Sequence, residues 1–307
     1  MRIFLTGATG YIGGAVLDAL VKAGHDVTAL VRDKEKARRV AKRGGHPVVG
    51  NLAEPESYRG ASDAQDGYVL AAFDQPSNRG PLIDRGALDA ILASARRPRT
   101  APVSAKSKRF IIYTSGTWVL GQSPDPSNED APVNPTPIAA WRPAHEALVL
   151  SAASDHLRTV VVRPGNVYGS GSGMVSDLLK MASNGLVRVV GDGNNHWPLV
   201  YDRDLADLYA RLAANHEASG VYHANDEGDE RVNDLIAAIK PHVSLRPDVR
   251  YVPLEEARSK MGPAADAMAL DQVIRSPRAR ALGWTPSLHS VAGNAARLLE
   301  EWRTANA

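Results

Sequence analysis

Residues 7–13 constrain the fold of this chain more than any other stretch. Gly7-Ala8-Thr9-Gly10-Tyr11-Ile12-Gly13 follows a short apolar run, Ile3-Phe4-Leu5, and leads into a segment where Ile12, Val16 and Leu20 recur every four residues. That spacing puts the three on one face of a helix. Val27-Thr28-Ala29-Leu30-Val31 comes next, β-branched and apolar as a buried strand should be. Strand, glycine turn, helix and strand make a βαβ unit, which predicts a parallel sheet. In such a turn glycine serves where the backbone takes a positive φ, where it approaches a pyrophosphate, and where helix and strand pack closely. The helix N-terminus adds free N–H groups and partial positive charge. The spacing is Gly-x-x-Gly-x-x-Gly, and in this context it predicts a dinucleotide site over Gly7, Thr9, Gly10, Tyr11, Ile12 and Gly13.

The end of the second strand separates the two nicotinamide dinucleotides. An acidic side chain there bonds the adenosine ribose, whereas arginine accommodates a 2′-phosphate. Arg32 holds that place, with Asp33 and Lys34 behind it. Arg32 favours NADP, and Asp33 leaves NAD open.

The alternation continues downstream. Pro47-Val48-Val49, Tyr68 to Ala72, Phe110 to Tyr113 and Thr159 to Val162 read as strands; Leu82–Ala95 and Ala139–Ala153 read as helices. Beyond Tyr168 the pattern weakens to helices near 174–184, 204–215 and 231–240 and a C-terminal helix from about Ser290. The expected class is α/β: a doubly wound parallel sheet of the Rossmann type over residues 1–170, and a smaller C-terminal α/β lobe over 171–307. One late segment near 200–225, ending in Val221-Tyr222-His223-Ala224, is expected to return to the main sheet.

Composition narrows the function. At 307 residues the chain is long enough for a full core without staples. Lys+Arg minus Asp+Glu is 36 − 34 = +2, too small an excess to argue for nucleic acid or a membrane surface. With no cysteine there is no disulfide, thiolate nucleophile, iron–sulfur cluster or cysteine-bound zinc. No window approaches the roughly 18 apolar residues of a membrane span. A cytoplasmic protein is expected, with a small-molecule substrate and no nucleic-acid or membrane partner; a homodimer stays open. Six of residues 96–109 are Lys or Arg, read as a solvated surface insertion. Asp202, Asp204 and Asp207 lack accompanying histidines, so no metal is expected, and Asp202 or Asp204 reads as a helix N-cap. The acidic run from Asn225 to Glu230 reads as a solvated turn.

Taken in order, these motifs and several later ones resemble the extended short-chain dehydrogenase/reductase superfamily, in its NAD-dependent epimerase/dehydratase branch. The resemblance covers essentially the whole chain. Gly7, Gly10 and Gly13 fit its cofactor motif, and Asn51-Leu52 sits where the family meets the adenine. Ala71-Ala72 lies at a strand end facing the cofactor, and Tyr113-Thr114-Ser115-Gly116-Thr117 fits the hydroxyl-rich strand end under the nicotinamide. Arg163-Pro164-Gly165-Asn166-Val167-Tyr168-Gly169 is similar to its later motif. The resemblance implies that Thr114, His145, Pro164, Asn166 and Val167 join the cofactor site.

The departure falls at the catalytic centre. The family uses Tyr-x-x-x-Lys on the helix after a proline-rich loop, where the phenol exchanges a proton and the ammonium lowers its pKa. Here the segment reads Trp141-Arg142-Pro143-Ala144-His145-Glu146, with Trp141 at the tyrosine position and His145 at the lysine position. Indole is no general acid, and histidine is shorter than lysine and largely neutral. The catalytic candidates are therefore Ser115, Thr117 and His145; Trp141, Arg142 and Tyr168 are expected to line the substrate pocket. Three readings follow: an NAD(P)-dependent oxidoreductase of the epimerase/dehydratase type acting on a small carbonyl or hydroxyl compound, a non-catalytic dinucleotide-binding sensor, or a sugar-nucleotide epimerase proper, against which the missing tyrosine counts.

Overall fold

The computed structural model describes residues 1–73, 79–97 and 108–306. Its first half runs β1 (Arg2–Thr6), α1 (Tyr11–Lys22), β2 (Asp26–Val31), α2 (Lys34–Lys42), β3 (His46–Val49), α3 (Arg59–Asp63), β4 (Gly67–Leu70), α4 (Gly80–Arg96) and β5 (Arg109–Thr114). There follow β6 (Ser123–Ser127), α5 (Arg142–Leu150), β7 (Leu157–Pro164), β8 (Asn166–Tyr168), α6 (Met174–Ser183), β9 (Leu186–Val190), β10 (His196–Trp197), β11 (Leu199–Tyr201), α7 (Asp202–Ala214) and β12 (Gly220–Ala224). The chain ends with β13 (Glu230–Arg231), α8 (Val232–Ile239), β14 (Asp248–Val252), α9 (Leu254–Met261), α10 (Ala264–Met268), β15 (Gln272–Ile274), α11 (Pro277–Ala281) and α12 (Ala295–Asn306).

A seven-stranded sheet has the order β12-β7-β5-β4-β1-β2-β3. The pairings from β3 through β7 are parallel. This is the doubly wound order, reversing between β1 and β4, and β12 joins beside β7. Parallel strands flanked by helices bury both faces, so they read as continuous apolar runs. Ile3, Phe4 and Leu5 are all fully buried.

The chain divides into two compact units. The first comprises residues 1–115, 144–162 and 206–222, and carries most of the sheet. On one side of that sheet Phe4, Tyr58, Tyr68, Leu88, Ile91, Ile111, Tyr113 and Val161 form its core, with the Phe4 and Tyr58 rings stacked at 5.8 Å. Arg158 on β7 lies over the Phe110 ring at 4.6 Å and donates to the carbonyls of Leu212, Ala213 and Ala218. Burial pushes its pKa down to about 10. The second unit comprises residues 116–143, 163–205 and 223–307, with a core of Tyr168, Leu178, Val187, Trp197, Leu235, Ile236 and Leu298.

Several local expectations need correction. The helix expected over 139–153 is α5 alone, preceded by a separate 3₁₀ turn at Pro137–Ala139, because Pro143 can enter only a first helical turn. The final helix starts at Ala295, after a 3₁₀ turn at Ala292–Asn294. In the basic run, Arg99 and Lys106 lie outside the described residues. Arg109 is buried and donates to the carbonyls of Ser94, Ala95 and Arg97, capping the end of α4. It is no solvated charge. α7 begins at Asp202 itself, and the Asp204 carboxylate instead receives the N–H groups of Ser287 and Leu288.

Candidate functional site

Because β1, β4 and β5 are parallel, their C-terminal ends share one sheet edge, and the site builds from that edge. After β1, Gly7 takes φ +82°, and a Cβ there would lie 2.6 Å from the Ala71 carbonyl oxygen. A Cβ on Gly13 would lie 2.2 Å from the Gly7 oxygen. Both positions therefore exclude a side chain. Gly10 differs: it is exposed, its φ is −86°, and its N–H closes the turn on Gly7 O at 2.8 Å. As the residue capping α1 it brings no side-chain oxygen to the helix N–H groups. Those donors suit an external anion, and the absent Cβ leaves its approach open. This cradle fits a pyrophosphate. Ala72 N–H reaches Thr6 Oγ1 at 3.3 Å, tying the loop after β4 to the end of β1.

At the end of β2, Asp33 is committed to its helix. Its carboxylate accepts Lys36 N–H at 2.8 Å and pairs with the Lys36 ammonium at 3.1 Å. Arg32 beside it is exposed. Asn51 is tied locally, accepting Ala53 N–H and donating to Glu54, while Leu52 packs on the core.

The polar chemistry gathers where β5 meets α4 and α5. Tyr113 and Ser115, two apart on an extended strand, share a face. Tyr113 donates its hydroxyl to Asp84 Oδ2 at 2.7 Å, and His145 Nδ1 meets the same oxygen at 2.7 Å. Ser115 donates its hydroxyl to Glu146 Oε1. All five side chains are buried. Thr114, on the other face, bonds the Tyr209 hydroxyl at 2.6 Å.

The remaining candidates belong to the second unit. Thr117 is buried, and its carbonyl accepts from Gln272. Trp141 precedes α5, with the Arg142 guanidinium 4.4 Å above its ring. Pro164 closes β7. Asn166 and Val167 lie in β8, paired with β11. Tyr168 is fully buried and donates its hydroxyl to Asp226 Oδ2 at 3.0 Å; burial and that carboxylate push its pKa far above the phenol range. Asn225, Asp226 and Glu230 of the acidic turn are thus buried, while Asp229 is exposed. Asp226 is buried, which raises its pKa to about 7, and Glu230 receives Ser290 Oγ and the N–H groups of Val291 and Ala292.

Sequence reasoning missed two residues. Asp84 shares its helix face with Ala87, Leu88, Ile91 and Ala95, all buried. An acid inside such a stripe is the signal that could have marked it. Glu146 enters the sequence reading only as an alignment anchor, though it too lies on a buried helix face. Among the described residues no cluster of three or more His, Cys, Asp or Glu is arranged to hold a metal, and no helix is long and apolar enough to cross a membrane.

The sequence profile of the NAD-dependent epimerase/dehydratase family matches residues 3–225. The chain belongs to that family. An uncharacterized protein of Schizosaccharomyces pombe is 30% identical over 294 residues, covering 94% of this chain and 95% of its own. The 2-alkyl-3-oxoalkanoate reductase of Stenotrophomonas maltophilia is 29% identical over 259 residues, 78% of this chain and 76% of that one. In structure, the Thermus thermophilus UDP-glucose 4-epimerase, solved with NAD, aligns at a TM-score of 0.79 with 19% identity over 99% of each chain. The human epimerase family protein SDR39U1, solved with NADPH, aligns at 0.76 with 20% identity over 98% of this chain and 99% of that one. At such identities the solved structures establish the Rossmann-type fold alone. Family membership supports a nicotinamide dinucleotide as cofactor.

Proposed function

We propose that this chain is an NAD(P)-dependent oxidoreductase acting on a small carbonyl or hydroxyl compound, with NADP preferred. The observation that carries the reading is the pair of buried contacts Ser115–Glu146 and His145–Asp84, at the sheet edge that also holds the glycine turn. Hydroxyl and imidazole groups backed by buried carboxylates are equipped to bind and exchange a proton. Gly7, Thr9, Gly10, Tyr11, Ile12 and Gly13 would hold the pyrophosphate, Arg32 the 2′-phosphate, and Asn51, Leu52, Ala71 and Ala72 the adenosine side. A bound nicotinamide supplies the hydride acceptor or donor. His145 holds the exchangeable proton, and Ser115 orients the substrate oxygen. The relative named as a 2-alkyl-3-oxoalkanoate reductase supports carbonyl–alcohol chemistry.

Trp141, at the family's tyrosine position, favours a second reading: a sensor that binds dinucleotide without turnover. Calorimetry with NADPH and NADH, followed by a turnover screen across small aldehydes, ketones and alcohols, separates the two. Tight binding with turnover of any of them supports the enzyme. Binding with no turnover across the panel supports the sensor, and no binding overturns both.

A further inference from the structure

We propose that the second unit carries a further binding site, a pocket between the loop after β8 and helices α7 and α12, which takes a free amino acid with an apolar side chain. This does not rest on the oxidoreductase reading above.

The pocket measures about 510 Å³ and is mostly apolar in its lining. That size is ordinary for a small-molecule site. Ser170, Arg203, Arg297, Glu300, Glu301 and Thr304 stand around it, all of them in the second unit. The loop packs tightly on the end of α12: a Cβ on Gly171 would lie 2.7 Å from the Ala305 Cβ.

The charges around the pocket are committed unequally. The buried Tyr201 holds Glu301, its hydroxyl 3.1 Å from both carboxylate oxygens. Arg297 donates Nε to Glu301 Oε1 at 3.1 Å, and its guanidinium lies 5.6 Å from the Tyr201 ring centre. Those two charges satisfy each other. Arg203 lies 5.5 Å from the same ring centre, and among the described residues its guanidinium makes no hydrogen bond or ion pair. The Glu300 carboxylate pairs, among the described residues, only with the exposed Arg303 at 3.6 Å.

One cation and one anion are thus left to offer, in a pocket whose two arginines and two glutamates balance. A ligand of a single charge would match one and leave the other. A zwitterion matches both. The helix ends agree, for Arg203 stands in the first turn of α7, the positive end, and Thr304 in the last turn of α12, the negative end. The ligand carboxylate accordingly meets Arg203, whose planar fork suits it, and the ammonium meets Glu300. The side chain covers the apolar lining.

The test sets L-phenylalanine beside 3-phenylpropanoate, which lacks the ammonium, and 2-phenylethylamine, which lacks the carboxylate. All three are titrated by ligand-observed NMR against the full chain in the presence of NADPH. Phenylalanine should bind with a Kd at or below about 1 mM. Both analogues should bind at least about threefold more weakly. Arg203→Gln should weaken phenylalanine and the carboxylate roughly three- to tenfold and leave the amine unchanged. Glu300→Gln should weaken phenylalanine and the amine alike and leave the carboxylate unchanged. Both positions are exposed, so thermal midpoints should stay near that of the wild type. Thr304→Trp, which fills the pocket, should abolish binding of all three. The proposal is overturned if phenylalanine does not saturate or if either analogue binds as tightly. It is overturned equally if Arg203→Gln or Glu300→Gln leaves phenylalanine affinity unchanged, or if Thr304→Trp binds undiminished.

Discussion

His145 Nδ1 lies 2.7 Å from Asp84 Oδ2, across 61 residues of sequence and between two helices. The bond orients the ring and assigns its tautomer, because the nitrogen facing a carboxylate carries the proton. His145→Phe should lower turnover about 10²–10⁴-fold, the usual worth of a positioned acid or base. Asp84→Asn should lower it less and should scramble the ring's ¹⁵N tautomer pattern. An unchanged rate in the first variant, or an unchanged pattern in the second, would remove the pair from the mechanism.

The glycines of the first turn should fail in different ways. Gly10 is exposed with an ordinary φ, and a Cβ there would lie 3.2 Å from Gly7 O, so Gly10→Leu should fold after a slight local shift yet lose dinucleotide binding by blocking the pyrophosphate. At Gly13 a methyl meets backbone at 2.2 Å, so Gly13→Ala should also lower the thermal midpoint. Calorimetry and thermal unfolding on both variants test this, and Gly10→Leu with wild-type affinity would locate the phosphates elsewhere.

Arg32 should discriminate between the dinucleotides. Asp33 is held by Lys36, and Arg32 is the charge proposed to meet the ribose phosphate. Arg32→Ala should weaken NADP(H) by roughly 1.5–3 kcal/mol, the range for a bond to a charged group, and NAD(H) little. Equal weakening of both would mean that the arginine stacks on the adenine and reads no phosphate.

The fold was legible because its signals are local. Ile12, Val16 and Leu20 announce α1 by spacing, and the glycines announce the turn before it. The site was half legible. Ser115 and His145 stand out by residue type, but their partners do not, since Asp84 gains its meaning only from a helix 61 residues away. Asp226 and Glu230 look solvated for the same reason. Nothing near them reveals that residues 289–292 fold back to donate to both, His289 to the Asp226 carbonyl and the next three to Glu230. Arg109 misleads because a run of charge hides a member that caps a helix.

Arg158 shows how backbone carbonyls hold a buried charge. Three carbonyls at and after the end of α7 receive its guanidinium, where the helix dipole is negative. Arg158→Met keeps the apolar stem but leaves those carbonyls unpaired. It should destabilise the protein by roughly 3 kcal/mol in urea unfolding. A loss well under 1 kcal/mol would mean that water replaces the guanidinium at little cost.

The pH dependence of stability should conceal two opposed groups in the second unit. Burial raises the Asp226 pKa to about 7, whereas an unfolded aspartate titrates near 3.9. The native state therefore holds the extra proton, and this group's contribution falls as pH rises from about 4 to about 7. Burial, reinforced by the Arg163 charge, lowers the His223 pKa to about 3 against an unfolded value near 6.5. There the unfolded chain holds the extra proton, and the contribution rises with pH from about 3 to about 6.5. Between about pH 4.5 and 6.5 the two slopes offset. Asp226→Asn should expose the histidine, so that stability climbs by about 2–3 kcal/mol across that window; His223→Gln should expose the aspartate and make it fall by a similar amount. Urea midpoints at both pH values measure this directly. Parallel, flat profiles in both variants would show that neither group changes its protonation on unfolding.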